Sequence, residues 1–268
     1  MTTFLETTAI IGLIELALAA VLTIAPRVGR LGRAVSDACA RAPLLDLILA
    51  VLTWIPWLAA GLLAGWVGLC GAICGQILAI LVWVIIHELA HRRAATGPRI
   101  GRFWNRRIGW WHNHLALWVS AVALPGLWVI RLTEIFGYPL LVWLLRFPAY
   151  RHGEWVNVSR QKFQGLIGHD LLWCLYCDWM TGVYSLGAEM LRNVESFWCP
   201  IRFYDGKKCD HCRIDFPDID GGWVPADGSM RDVEELMQRK YGGNERSWFG
   251  HPARLTIDGA APESKPHG

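Results

Sequence analysis

The sequence predicts an all-α polytopic membrane protein with four or five transmembrane helices, an amphipathic interfacial helix and a small Cys-rich C-terminal module. Hydrophobic residues make up 53% of the 268-residue chain, a larger share than is usual in soluble domains. Apolar runs close to the ~20 residues that cross a bilayer recur through its first half. Many of the 16 tryptophans stand near the ends of these runs, as in an interfacial aromatic belt.

The apolar runs are interpreted as membrane helices in chain order. They cover residues 8–25, 44–66, 69–90 and 114–132, with a shorter fifth run at 135–147. The first run lacks a preceding basic segment and a convincing cleavage site, so it is expected to be an uncleaved membrane helix. The fifth contains Pro139 and is interpreted as a tilted span, a re-entrant segment or an interfacial helix. Glu15, in the middle of the first run, either joins helices or handles a proton. Pro56 is expected to kink or interrupt the second run.

The arginines between the runs predict the orientation of the helices. They fill the first loop (Arg27, Arg30, Arg33, Arg41) and the third loop (Arg92, Arg93, Arg99, Arg102, Arg106, Arg107), whereas the turn between the second and third runs has none. By the positive-inside rule, the first and third loops face the cytoplasm. We therefore expect an integral protein of the bacterial inner membrane. Its C-terminal region is cytoplasmic if the fifth run spans, and lies on the other side if that run does not. The net charge of +3 reflects these short loops and does not indicate a nucleic-acid partner.

Beyond the fifth run the chain becomes more polar. We predict three regions: a helical bundle at 1–147, an interfacial helical region at 148–198, and a cytoplasmic metal-binding module with a disordered tail at 199–268. Polar residues recur at spacings of three and four from Gly165 to Glu195, opposite a row of apolar residues. This pattern predicts an amphipathic helix on the bilayer surface or against the bundle. A second, short helix is predicted at residues 229–241, with Ser229 and Asp232 as its cap.

An H-E-x-x-H motif ends the third apolar run, in the segment LVWVIIHELAHRR at residues 81–93. Positions i and i+4 share a helix face, so His87 and His91 can bind one metal ion, with Glu88 beside them as the catalytic base. Ionisable groups at bilayer depth usually mark a functional site. The alternative is that these residues are a helix end at the headgroups, where water satisfies them.

Further histidines are predicted near the same membrane face. His112 and His114 begin the fourth run, His152 follows the fifth, and His169 and Asp170 open the amphipathic helix. Imidazole clusters suit zinc, or iron in an oxygen-activating site. His112 and His114 point to opposite faces if both are helical, so at most one of them is expected to join a site. We select His112, His169 and Asp170 as candidate ligands beside His87 and His91.

Two C-x-x-C pairs predict a second, structural metal site. Cys174 and Cys177 lie in WCLYC, and Cys209 and Cys212 lie in KCDHC. Four thiolates from two such pairs are a common zinc arrangement. An alternative set combines Cys199, Cys209 and Cys212 with His211 or with a cysteine of the helix. A redox dithiol or a rubredoxin-like iron site remains a further alternative.

The segment HELAH resembles two families of membrane enzymes over about ten residues. It is similar to the motif of membrane metallopeptidases of the site-2 protease class, which implies His87 and His91 as zinc ligands and Glu88 as the base. It also looks like the first histidine box of membrane alkane hydroxylases and fatty-acid desaturases, which implies two irons held by many histidines. The chain has neither the L-D-G motif of the first family nor the H-x-x-H-H box of the second.

Two classes of function follow from these patterns. The first is a membrane-embedded metalloenzyme acting at the cytoplasmic face, with zincin-type hydrolysis slightly favoured over non-haem iron oxidation or hydroxylation. The second is a non-enzymatic subunit or assembly factor of a membrane complex with a structural zinc site. The expected partners are the lipid bilayer and other subunits of such a complex.

Overall fold

The computed structural model describes residues 1–145, 147–198, 224 and 227–241, and these residues are nearly all helical. The helices are α1 (Thr2–Ile24), α2 (Gly29–Cys39), α3 (Leu44–Leu52), α4 (Trp54–Ala90), α5 (Arg92–Thr96), α6 (Ile100–Ile108), α7 (Trp110–Ala121), α8 (Leu124–Leu132), α9 (Tyr138–Leu145), α10 (His152–Trp155), α11 (Gly168–Trp198) and α12 (Met230–Tyr241). Short 3-10 turns lie at Ala25–Arg27 and Arg160–Lys162, and a π-helical turn lies at Thr133–Gly137. An isolated β-bridge joins Arg41 and Asn157.

The chain folds as two compact units. The first combines Met1–Ala123 with His152–Gly182, and the second combines Leu124–Arg151 with the described residues from Val183 onward. Among the residues that the structure describes, three helices are long and apolar enough to cross a membrane: Thr2–Arg27, Trp54–Ala90 and Trp110–Leu145. The all-helical class is therefore confirmed for the described residues, and these helices are consistent with a membrane protein, whereas the predicted number of four or five spans is not confirmed. The fourth and fifth apolar runs lie within one candidate span.

Helix α4 is folded back on itself at Gly65. The indole Nε1 of Trp57 donates a hydrogen bond to Oε1 of Gln76, 19 residues further along, although a straight helix would separate these residues by about 28 Å. Gly65 has φ 61° and ψ −151°, a conformation that glycine adopts at little cost. The turn falls where the sequence separates its second and third apolar runs. The first arm, residues 54–64, is too short to cross a hydrocarbon core by itself.

Pro56 has the effect that the sequence predicts, and Gln76 compensates for it. Helix α3 ends at Leu52, and the backbone breaks at Thr53 (φ −125°, ψ −89°), three residues before Pro56. Proline has no N–H, so the carbonyl of Leu52 loses its helical partner. The side-chain Nε2 of Gln76 donates to this carbonyl at 3.3 Å and to that of Thr53 at 2.8 Å. A buried side chain of the second arm therefore satisfies the break, as bilayer depth requires.

The second arm of α4 packs closely against α1, and the two run in the same direction. A Cβ added at Gly75 would lie 2.6 Å from the carbonyl oxygen of Thr8. Oγ1 of Thr8 donates to the carbonyl of Gly71 at 3.1 Å. Small residues at such an interface let two backbones approach closely in lipid. At the far end, Arg27 reaches His91, so the first and third arginine-rich loops begin at the same end of this helix pair.

The second unit buries several polar and charged side chains. Nη1 of Arg131 is 2.6 Å from Oε2 of Glu134, and both side chains are almost completely buried. Asn193 is fully buried, and its Nδ2 donates to the hydroxyls of Tyr138 and Tyr150 at 2.8 and 2.7 Å. Charged side chains inside a membrane are costly unless they are paired in this way.

The two helices predicted beyond residue 147 are present. The amphipathic helix expected from Gly165 to Glu195 is α11, whose buried residues include Trp179, Val183 and Leu186. Helix α12 begins after Ser229, whose backbone N–H and hydroxyl both lie 2.6 Å from Oδ2 of Asp232. The predicted cap is therefore observed.

Candidate functional site

The two histidines of the H-E-x-x-H motif lie together at the end of α4. Their ring centroids are 4.4 Å apart. Helix α4 ends at Ala90, and Nδ1 of His91 donates back to the carbonyl oxygen of His87 at 2.9 Å. Nδ1 of His87 accepts a hydrogen bond from the backbone N–H of Gly168 at 3.1 Å. Each ring therefore has one nitrogen engaged in holding the backbone.

The second nitrogen of His91 is not directed into an open site. Its Nε2 lies 3.5 Å from a guanidinium nitrogen of Arg27, which is a donor. The stacking of Trp83 on His87, at a centroid distance of 4.9 Å, further packs the pair. The motif residues are thus tied to the end of α1 on one side and to the start of α11 on the other.

Glu88 is held in an ion pair with Arg99. Its Oε1 accepts a hydrogen bond from Nη1 of Arg99 at 2.8 Å. Arg99 also donates from Nε to Oδ2 of Asp170 at 3.1 Å and from Nη2 to the carbonyl of Ile167 at 3.1 Å. The Arg99 and Asp170 side chains are 9% and 8% exposed, whereas that of Glu88 is 33% exposed. We call Glu88, Arg99 and Asp170 the Arg99 cluster.

Asp170, a predicted metal ligand, caps a helix in this structure. Its Oδ2 accepts the backbone N–H of Ile100 at 3.1 Å, and its Oδ1 accepts that of Gly101 at 3.2 Å. These residues begin α6, whose first N–H groups have no partner within the helix. With Arg99 added, both carboxylate oxygens of Asp170 are engaged by donors of the protein.

A second pair of imidazoles lies beside the Arg99 cluster. The rings of His114 and His169 have centroids 5.0 Å apart, and Nε2 of His169 accepts the indole N–H of Trp173 at 2.8 Å. Burial, and then the neighbouring His114, lower the pKa of His169 below its ordinary value. His112, the other candidate of this segment, is exposed on α7.

These side chains border an open cavity of about 160 Å³ in the first unit. Its wall combines the start of α6 with one side of α7 and the start of α11. The lining residues are Arg99, Gly101, Arg102, Asn105, His114, His169 and Asp170. Four of the seven come from the arginine-rich third loop, which the sequence marked for orientation alone.

The described residues do not complete a metal site around the motif. No three His, Cys, Asp or Glu side chains in the described part of the chain lie where they could hold one metal ion. His87 and His91 thus supply two ligands without a third among these residues, and Glu88 faces Arg99. A zincin needs three protein ligands and a free carboxylate at the bound water. The described geometry does not fit such a site.

The cysteine predictions are only partly within the described residues. Cys174 is half-buried and Cys177 exposed, one turn apart on α11, and both are free thiols. Burial raises the pKa of the Cys174 thiol. Cys199, Cys209 and Cys212, together with His211, lie outside the described residues, so the zinc site they predict stays a prediction.

Arg99 is the site residue that sequence patterns do not reveal. In the sequence it is one of six arginines in the third loop, yet it joins Glu88 and Asp170, which are 11 and 71 residues away. Helical spacing rules connect residues three or four apart and do not reach such pairs. The local sequence shows only that Arg99 directly follows Gly97 and Pro98, which come after the end of α5.

No family model, curated protein or solved structure matches this chain. The two local resemblances of the HELAH segment therefore rest on that segment alone. The geometry of the Arg99 cluster and the two histidine pairs is the remaining basis for a function.

Proposed function

We propose that this protein is a non-enzymatic subunit or assembly factor of a membrane protein complex. In this proposal the H-E-x-x-H residues join the end of α4 to the rest of the first unit and do not perform hydrolysis. The observation that supports it is the ion pair of Glu88 with Arg99 at 2.8 Å. A general base of a metalloprotease must instead face the metal-bound water.

The hydrogen bond to His87 supports the same proposal. The backbone N–H of Gly168 would lose its acceptor if this imidazole turned toward a metal through Nδ1. Gly168 has φ 50°, and a Cβ at this position would lie 2.5 Å from the carboxylate of Glu88. Glycine is thus required where α11 begins against the motif. In this proposal, the close packing of the motif against the start of α11 is a structural contact.

The C-terminal cysteines complete the proposal. We propose that Cys209 and Cys212, with Cys199 or with Cys174 and Cys177, hold a structural zinc ion in a module that docks other subunits. Thiolate zinc sites stabilise small modules that bury little apolar surface. We propose a bacterial inner membrane location with the arginine-rich loops in the cytoplasm, as the positive-inside rule favours. The hydrogen bond from Gly168 to His87, at the end of α4, supports the same side for the start of α11.

A metal-dependent membrane enzyme is the second candidate. It is favoured by the 4.4 Å separation of the His87 and His91 rings and by a second imidazole pair, His114 and His169, on the far side of the Arg99 cluster. Zincin-type hydrolysis or non-haem iron oxidation would both require Glu88 or a further residue to rearrange. This candidate acts at the cytoplasmic face on a membrane-bound substrate.

Metal analysis of purified variants separates the two candidates. We expect zinc in the wild-type protein to be lost in Cys209→Ser and retained in His87→Ala. Glu88→Gln should retain zinc and lower the midpoint of thermal unfolding. Loss of a metal equivalent in His87→Ala, with retention in Cys209→Ser, would refute the subunit proposal and support the enzyme. Iron in place of zinc in that equivalent would indicate the oxidase.

A further inference from the structure

The cavity beside the Arg99 cluster is lined by several hydrogen-bond donors, and its carboxylate is already engaged by donors of the protein. Asp170 is the acidic residue of the lining, and its two oxygens accept three hydrogen bonds, from Arg99, Ile100 and Gly101. Both carboxylate oxygens of Asp170 therefore already have donor partners in the protein. The other polar side chains of the lining therefore determine which ligand the cavity binds.

Arg102 is the cation of this lining whose N–H groups are still available to a ligand. It is exposed, and its Nη1 reaches the backbone carbonyls of Thr96 and Gly97 at 3.5 and 3.4 Å, both long contacts. Among the described residues, no carboxylate forms an ion pair with it. By contrast, Arg99 is already shared between two carboxylates. A guanidinium with this freedom binds phosphate through two parallel hydrogen bonds.

The neutral polar groups also present N–H groups. Oδ1 of Asn105 accepts a hydrogen bond from Asn113 at 2.8 Å, which leaves the Nδ2 of Asn105 as donor. Nε2 of His169 accepts from Trp173, so the neutral ring carries its proton on Nδ1. His114 stacks against His169 and Trp110 and can present an N–H as well. N–H donors beside the Arg102 guanidinium favour an anionic ligand.

The surroundings of the cavity place it at a membrane surface. Helix α6 exposes Ile100, Phe103 and Trp104 between its arginines, and Trp110 and Trp111 are 61% and 64% exposed at the start of α7. Basic amphipathic helices flanked by tryptophan are typical of the headgroup region. A lipid phosphate would therefore lie at the depth of the cavity.

We propose that this cavity binds a phosphate monoester, held by Arg102, Asn105, His114 and His169. A terminal phosphate has three exposed oxygens and up to two negative charges, which match the guanidinium and the N–H groups around it. Phosphatidic acid in the membrane and free phosphate in the cytoplasm are the two sources of this group. The proposal is independent of whether the protein is a subunit or an enzyme.

Native mass spectrometry of the full-length protein in neutral detergent tests the proposal. Phosphatidic acid is titrated in parallel with phosphatidylcholine of the same acyl chains, and inorganic phosphate is then added as a competitor. Arg102→Gln and Asn105→Ala are compared with Arg106→Gln, a matched control on the same exposed helix that does not line the cavity. Thermal unfolding of each variant checks that it is folded.

We expect phosphatidic acid to bind in preference to phosphatidylcholine, with an affinity about tenfold lower in Arg102→Gln, as the loss of a charge-assisted hydrogen bond implies. Arg106→Gln should change it less than twofold. Competition by millimolar inorganic phosphate would assign the site to free phosphate, and its absence would assign it to the lipid. Equal weakening by Arg102→Gln and Arg106→Gln would overturn the proposal, because unspecific surface charge would then explain the binding. Equal binding of the two lipids would overturn it as well.

Discussion

Replacing Asp170 by alanine should destabilise the first unit more than replacing Glu88, the other carboxylate of the Arg99 cluster. The substitution removes the N-terminal cap of α6, which costs about 1 kcal/mol. It also removes one of two acidic partners of a guanidinium that is only 9% exposed, and such a charge-assisted hydrogen bond contributes about 2 kcal/mol. The expected total is about 3 kcal/mol, or roughly 6–12 °C in the midpoint of thermal unfolding for a chain of this size.

Thermal unfolding in detergent, followed by circular dichroism, measures this effect against two comparisons. Glu88→Gln should cost about 1 kcal/mol, because the side chain of Glu88 is 33% exposed and solvent screens its ion pair. Asp37→Ala removes an ion pair with Lys162 whose side chains are 61% and 64% exposed, and it should leave the midpoint unchanged. If Asp170→Ala shifted the midpoint no more than Asp37→Ala, the cluster would not support the fold, and the structural role of the motif would be refuted.

Three further predictions concern helix packing, acid stability and topology. Gly75→Leu should separate α1 from α4 and lower the yield of monodisperse protein in size-exclusion chromatography. Gly61→Leu should not lower this yield, because nothing lies within 4 Å of a Cβ at that position. Equal yields of the two variants would contradict the close packing. Although burial raises it, hydrogen bonds from Ser159 and Arg160 bring the pKa of Asp178 below its ordinary value, so the stabilisation it provides is present above the unfolded-state pKa and is lost as pH falls below about 4. Asp178→Asn should therefore lower the unfolding midpoint at pH 7 and lower it progressively less as the pH is reduced below about 4, and an effect that does not change with pH would exclude a role for the charge. An alkaline phosphatase fusion after Arg99 should be inactive, because the third loop is expected in the cytoplasm, and an active fusion would reverse the orientation.

The helices of this protein can be predicted from local signals, because their apolar pattern and caps lie within a few residues. The cap of α12 and the break before Pro56 are examples, since proline and an S-x-x-D sequence act within one turn. The number of spans is less accessible. The run that begins at residue 135 is short and contains a proline, yet its described part up to Leu145 belongs to one candidate span with the run before it, because a π-helical turn carries the helix through Thr133–Gly137.

The candidate site was only partly predictable for a different reason. His87 and His91 are brought together by helical spacing, which the sequence displays directly. The partner of Glu88 is Arg99, which a loop brings back to the end of α4. No spacing rule predicts where such a loop lies. The same holds for Asp170, whose carboxylate is as compatible with a metal as with the N–H groups of α6 until the position of α6 is known.

The parallel course of α1 and the second arm of α4 has an electrostatic consequence. Two helices that run in the same direction bring their partial negative charges together at their C-terminal ends, and this arrangement is unfavourable unless cations are nearby. Arg27 lies at this point: its Nη1 donates to the carbonyl of Thr23 in the last turn of α1 at 3.1 Å, while Nη2 reaches His91 after the last turn of α4. One guanidinium therefore lies beside both helix C-termini, where a cation is favourable, so reversing its charge should weaken the helix pair itself as well as the preference for a cytoplasmic loop.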